Sequence, residues 1–245
     1  MDNNTDTYDE TMAHNIVDGI YWVGFADRKA GFSNNPYVLD DGEDVILFDP
    51  GSRAPEHFNI VKDKVCSVVE PERINYIVAH HQDPDLCAAI PLFEEIVDPR
   101  VKIITPTRAA PFMRYYDSVS EVIPVEDGEM LSLKSGRTLT FVHTPYVHFA
   151  GSMVTYDAKT KTVFSSDIFG AFSIDWNLYA NENYIEAFKA FTEPYLASKD
   201  ALDSALDKLE TIEIERICPQ HGSIIDNDIG KYLQAARELE VGTWV

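Results

Sequence analysis

Short apolar runs of four to six residues, each bounded by Gly, Pro, Asp or Asn, recur along the chain and read as strands. They fall at Ile20–Phe25, Pro36–Leu39, Asp44–Phe48, Ile74–Ala79, Val101–Thr105, Thr138–Val142, Met153–Tyr156, Thr162–Ser165 and Ile212–Ile217. Between them, apolar residues at helical spacing behind polar or acidic starts predict helices over Pro55–Val69, Asp85–Val97, Thr107–Ser118, Asn183–Ala197, Lys199–Glu210 and Asp226–Leu239. The second half repeats the mixture of the first, which suits an α/β sandwich of two sheets flanked by helices. No Pro/Gly/Ser linker, internal repeat or low-complexity tract interrupts it, so residues 1–245 read as a single domain. The polar first 15 residues are expected to be loosely ordered.

Composition adds exclusions. With 45% hydrophobic and 25% charged residues, the 245-residue chain has the profile of a soluble globular protein. Its net charge of −21 repels phosphate backbones and argues against nucleic acid as a partner. The acidic residues form no long block, so they read as a solvated surface. Three cysteines without a CxxC pair fit a reducing compartment. No basic n-region or apolar h-region opens the chain, and no run approaches the roughly 20 apolar residues that span a bilayer. A cytoplasmic protein away from the membrane is expected.

Chemistry concentrates where strands end. The run Ile74–Ala79 stops abruptly at His80-His81-Gln82-Asp83-Pro84-Asp85. In an extended or tightly turned loop, His81, Asp83 and Asp85 can point to one side, and a following helix would set its N-terminal dipole against the carboxylates. Taken alone, the same residues serve equally well as a helix cap, with Pro84 in the first turn. Three later segments shift the balance towards ligands. His143 and His148 precede an apolar strand, Asp167 ends another just before Gly170, and His221 ends a third just before Gly222. Imidazoles and carboxylates without thiolates form a donor set suited to iron, manganese or catalytic zinc.

This ordered set resembles the metallo-β-lactamase superfamily, whose fold is an αββα sandwich. Hydrolases of that superfamily carry His-x-His-x-Asp-His, whereas this chain has His81-Gln82-Asp83-Pro84-Asp85-Leu86. A carboxylate at the second ligand position marks the flavodiiron branch, where Glu is usual. Thr144-Pro145-Tyr146-Val147-His148, Ser165-Ser166-Asp167-Ile168-Phe169-Gly170 and Pro219-Gln220-His221-Gly222 agree with that branch, and its spacing favours His148 over His143. The resemblance implies two iron ions: one held by His81, Asp83 and His148, the other by Asp85 and His221, with Asp167 bridging them. Leu86 departs from the pattern, since a His usually sits there, and leaves the second iron with fewer protein ligands.

Flavodiiron reductases continue into a flavodoxin-like FMN domain. This chain ends at Val245 without a phosphate-cradling Gly-rich loop, so no FMN domain is expected in it. A stand-alone domain of this kind resembles the oxygen-binding di-iron proteins of bacterial chemotaxis, which implies dioxygen as ligand and a sensing role. Two alternatives stand beside that reading. One is a flavodiiron-type O₂ or NO reductase served by separate electron-transfer proteins. The other is a zinc hydrolase of glyoxalase II type, against which Asp83 in place of His argues. Chemotaxis or electron-transfer proteins are the expected partners, and a homodimer is one assembly open to it. His80 and His143 read as structural or ligand-orienting. Tyr146 reads equally as a hydrogen-bond donor to a bound ligand or as packing. Cys87 and Cys218 read as packing, and His14 and His57 carry no assignment.

Overall fold

The computed structural model describes residues 8–172 and 176–243. Seven strands form the first sheet in the order β1 (His14–Val17), β2 (Ile20–Trp22), β5 (Tyr37–Asp40), β6 (Val45–Phe48), β7 (Ile74–Val78), β8 (Lys102–Pro106) and β9 (Glu121–Val125). The pairs from β6 to β9 are parallel and the rest antiparallel. The second sheet orders β10 (Met130–Ser132), β11 (Thr138–His143), β12 (Met153–Asp157), β13 (Thr162–Ser166) and β14 (Arg216–Pro219), with only β13 and β14 parallel. A two-stranded ribbon, β3 (Phe25–Asp27) and β4 (Phe32–Asn34), stands apart.

Side-chain alternation along these strands builds three apolar layers. Leu39, Ile46, Val78 and Ile104 of the first sheet meet Leu139, Phe141, Met153, Phe164 and Cys218 of the second, which fixes the face-to-face packing of the two. Their neighbours Val38, Leu47, Ile77 and Ile103 turn the other way, onto Val61 and Val65 of α1 (Pro55–Val68) and onto Leu86, Cys87, Ile90 and Phe93. On the far side Val154, Val163 and Ile217 pack beneath α5 (Tyr184–Tyr195), α6 (Lys199–Leu209) and α7 (Ile229–Arg237). Helix, sheet, sheet, helix is the αββα sandwich expected. Among the described residues, no helix is long and apolar enough to cross a membrane.

Several elements differ from the sequence-based expectation. The helix over Asp85–Val97 breaks into α2 (Pro84–Cys87) and α3 (Ile90–Glu94). Gly51 from another loop interrupts the ladder, donating to the Leu86 carbonyl at 3.0 Å and accepting from the Ala89 N–H at 2.8 Å, and Pro91 has no N–H with which to continue it. The helix over Thr107–Ser118 shrinks to α4 (Ala110–Met113) and a 3₁₀ turn that ends where Asp117 turns left-handed (φ 63°). The strand over Ile212–Ile217 runs instead over Arg216–Pro219. β9 escaped notice because Pro124 interrupts its pattern, which an edge strand tolerates. The expected loose tail falls partly on residues 1–7, outside the described residues. From Tyr8 onwards the chain is tied down: Tyr8 packs on His14 and Tyr179, and Lys64 Nζ donates to the Glu10 carbonyl at 2.6 Å.

Phe164 joins the two sheets by stacking on Phe48 with ring centroids 4.0 Å apart, and it is 1% exposed. Phe164→Ala should cost about 3–5 kcal/mol, the range for deleting a buried aromatic ring. Urea unfolding of the two proteins measures this, and a loss below about 1 kcal/mol would contradict the packing described.

Candidate metal centre

Three strand ends and one loop converge at one end of the sandwich. β7 runs out into His80–Asp85, β13 into Asp167 and β14 into His221, while His148 comes from the loop between β11 and β12. β13 and β14 are parallel, so Asp167 and His221 emerge at the same end. The Met153 N–H donates to the His80 carbonyl at 3.0 Å and ties β7's exit to the other sheet. Gly222 permits the turn after His221: its φ is +87°, and a Cβ there would collide with Tyr184 Oη and come within 2.8 Å of the Ala171 backbone nitrogen.

All six residues singled out from the sequence meet here, and Asp167 lies between them. Its Oδ2 sits 2.8 Å from His148 Nε2 and 3.3 Å from His81 Nε2. Asp83 Oδ2 lies 3.6 Å from His81 Nε2 and 3.5 Å from His148 Nε2, so His81, Asp83 and His148 could together hold one metal ion. The other oxygen of Asp167, Oδ1, faces His221 Nε2 at 3.7 Å, and His221 Nε2 in turn meets Asp85 Oδ2 at 3.0 Å. One carboxylate therefore addresses two groups of donors, one from each oxygen.

Two of the imidazoles, His81 and His221, are aimed by their far nitrogens. His81 Nδ1 bonds Ser166 Oγ at 2.9 Å, and His221 Nδ1 donates to the Ser33 carbonyl at 2.6 Å. Such outer partners fix both the tautomer and the ring direction of a ligating histidine. The Asp83–Asp85 loop is held through its backbone. Asn34 Nδ2 donates to the Asp85 carbonyl at 2.8 Å, Tyr116 Oη to that of Gln82, and Cys87 Sγ to that of His81 at 3.0 Å. Buried His81 Nε2 and Asp167 Oδ1 have no hydrogen-bond partner among the described residues, which is the deficit a cation would make good.

Electrostatics follow from this geometry. Burial lowers the affinity of His81 for a proton, yet the Asp167 and Asp83 carboxylates outweigh it and push the imidazolium up to about 10. His221, opposed by burial but paired with Asp85 and Asp167, rises to about 9. Burial acts to raise the Asp167 carboxyl, but His81, His148 and His221 hold it well below the usual carboxylate range. Metal-free, the site is a cluster of ion pairs, and cations must displace its protons.

One expectation is corrected. The helix after Asp85 is a single turn, so the dipole expected to face the carboxylates is small. Leu86 is fully buried in the apolar layer with Val61, Val65 and Phe93 and is not among the residues lining the cavity over the site. His80 is structural: fully buried, it bonds Asp49 Oδ2 through Nδ1 at 2.5 Å and Thr155 Oγ1 through Nε2 at 2.9 Å. His143 Nε2 donates to the Val125 carbonyl at 3.0 Å, away from the cluster. Tyr146 is 56% exposed. Sequence reasoning missed Asp49, although it ends an apolar strand as Asp167 does. It also missed His57, which lines the cavity of about 420 Å³ over the site together with Phe32, Phe191 and five of the six site residues.

A family model described as ODP family beta lactamase matches residues 32–222. The rubredoxin-oxygen oxidoreductase of Megalodesulfovibrio gigas is 30% identical over 238 residues, covering 87% of this chain and 57% of that protein. The chain thus spans little more than half the length of that curated relative. A mutant flavo di-iron protein from Thermotoga maritima superposes with a TM-score of 0.83 at 23% identity, over 92% of this chain and 61% of the other. The apo chemotaxis sensor ODP from T. denticola gives 0.77 at 23% identity, over 95% of both chains.

Two predictions follow from the cluster. Asp167→Ala should lose most bound metal while His143→Gln keeps it; equal metal content by elemental analysis would contradict the central place of Asp167. The second concerns pH in metal-free protein. An unfolded imidazole titrates near 6.5, so the raised His221 stabilises the fold fully below about that pH and loses this contribution as pH climbs through about 9. The gap in Tm between wild type and His221→Gln should therefore narrow from pH 7 to 10, and a constant gap would show that these ion pairs are absent.

Proposed function

The chain belongs to the ODP family of beta lactamases, and on that premise we propose that its strand-end cluster holds two iron ions and binds dioxygen. His81, Asp83 and His148 would hold one iron, Asp85 and His221 the other, and Asp167 both. The observation that carries this reading is the divided carboxylate of Asp167, whose oxygens face separate groups of imidazole and carboxylate donors. Oxygen and nitrogen donors without a thiolate suit iron. When bound, the iron pair supplies redox-active open coordination positions for a small ligand.

The chain's own residues prepare that environment. Ser166 and the Ser33 carbonyl hold the His81 and His221 rings so that their Nε2 atoms face the cluster. Phe149 lies 4.5 Å from the His148 ring and 5.8 Å from that of His81, while Phe32 stands edge-on to His221 at 5.2 Å. These rings restrict water around the donors and lower the local dielectric, which strengthens the ion pairs among them.

We read the role as oxygen sensing in signalling, with chemotaxis proteins as partners, supported by the 95% mutual coverage with the chemotaxis sensor ODP. A second reading is reduction of O₂ or NO with electrons from separate proteins, supported by the 30% identity to the rubredoxin-oxygen oxidoreductase. A zinc hydrolase is disfavoured by the carboxylate Asp83, where the hydrolases carry a histidine.

Anaerobically purified protein supplied with iron should hold close to two iron atoms per chain. Adding oxygen to the iron(II) form should give a visible absorbance change that persists for minutes without a reductant. Stopped-flow absorbance with and without a flavoprotein donor separates the two roles. Continuous oxygen consumption with no lasting change would replace the sensor by the reductase. Two zinc atoms and ester cleavage would remove both.

A further inference from the structure

The cavity over the cluster is far larger than a diatomic ligand requires, and its chemistry is lopsided. Among the described residues, its wall includes four carboxylates, Asp27, Asp83, Asp85 and Asp167, and no lysine or arginine. The side chains in the wall able to donate a hydrogen bond to a small anion or oxygen ligand are Ser33, Asn34, Ser52, Tyr195 and the three imidazoles. Ser33 Oγ is engaged with Gly222, accepting from its N–H at 2.6 Å and donating to its carbonyl at 3.1 Å. Asn34 Nδ2 is turned to the Asp85 carbonyl, and Ser52 Oγ lies 2.9 Å from His57 Nδ1. Among the cavity's imidazoles, His148 and His221 belong to the metal-binding cluster. His57 does not.

The His57 ring is oriented from three sides. Ser52 engages Nδ1, the Phe25 ring backs it with centroids 4.6 Å apart, and Asp27 Oδ2 stands 3.4 Å from Nε2. With Ser52 donating its hydroxyl proton to Nδ1, the neutral imidazole carries its own proton on Nε2, and the Asp27 carboxylate favours that tautomer. At 3.4 Å the Asp27 contact is too long for a strong hydrogen bond, which leaves the Nε2 proton available to a shorter acceptor.

We propose that His57, positioned by Ser52 and Asp27, donates a hydrogen bond from this cavity's wall to a small anionic or oxygen ligand bound at the metal centre. The proposal rests on the di-iron reading. It assigns His57 to ligand selection, so His57 should matter for what binds and not for whether iron is held.

Azide serves as the probe. Iron-loaded wild type, His57→Gln, His57→Leu and Ser52→Ala are titrated with it by absorbance, with iron content and Tm measured on each. A hydrogen bond to a charged ligand is worth roughly tenfold or more in affinity, so His57→Leu should weaken azide by about that factor at unchanged iron content. His57→Gln keeps an N–H and should stay within about threefold of wild type. Ser52→Ala, which leaves the ring in place but frees its orientation, should fall between, and it keeps the test decisive if the leucine variant unfolds. Azide binding as tight in His57→Leu as in wild type overturns the proposal. So does equal weakening by Gln and Leu, and so does iron loss in either. A wild-type protein that takes up no iron overturns the di-iron reading first, and this inference with it.

Discussion

A carboxylate taken almost out of water must be surrounded by cationic partners, and the burial of Asp167 imposes that condition on this fold. Left alone, a buried carboxylate would take up a proton. Here three imidazoles from three segments hold it ionised. Two of these imidazoles are then fixed from behind, His81 by Ser166 and His221 by the Ser33 carbonyl. The β3–β4 ribbon, remote in sequence from the strands it serves, thereby becomes part of the centre through Ser33 and Asn34.

The two sheets make that convergence rigid. Parallel pairing of β13 with β14 brings Asp167 and His221 out together, and parallel pairing around β7 sends its polar exit to the same end. His80 locks the sheets at this level: its ring stacks on Phe48 and bridges Asp49 of the first sheet to Thr155 of the second. One half of the His-His pair serves the scaffold and the other faces the cluster, because successive residues at a strand's end point to opposite sides.

Much of this was legible in the sequence because the layers rest on period-two alternation and the site on polar residues that end apolar runs. The nine expected strands map onto the two sheets, except that Phe25, the last residue of Ile20–Phe25, falls in the separate β3–β4 ribbon, and the six candidate residues all meet. What stayed hidden depends on long-range contacts. Nothing local marks Ser33 or Thr155 as partners of imidazoles distant in the chain. The break between α2 and α3 needs Gly51 from another loop to complete it. β1, β4 and β10 are too short and too polar to carry an alternation. Asp49 is a different case: the rule that selected Asp167 applies equally to it, and consistent use would have found it. His57 sits on an otherwise ordinary helix, and only the fold brings it to the cavity.

Anomalous X-ray diffraction at the iron edge, on crystals of the iron-loaded protein, tests the central claim most directly. The account predicts two iron peaks per chain, one beside His81, Asp83 and His148 and one beside Asp85 and His221, with one oxygen of Asp167 on each. A single peak, or two peaks with Asp167 bound to only one of them, would contradict it.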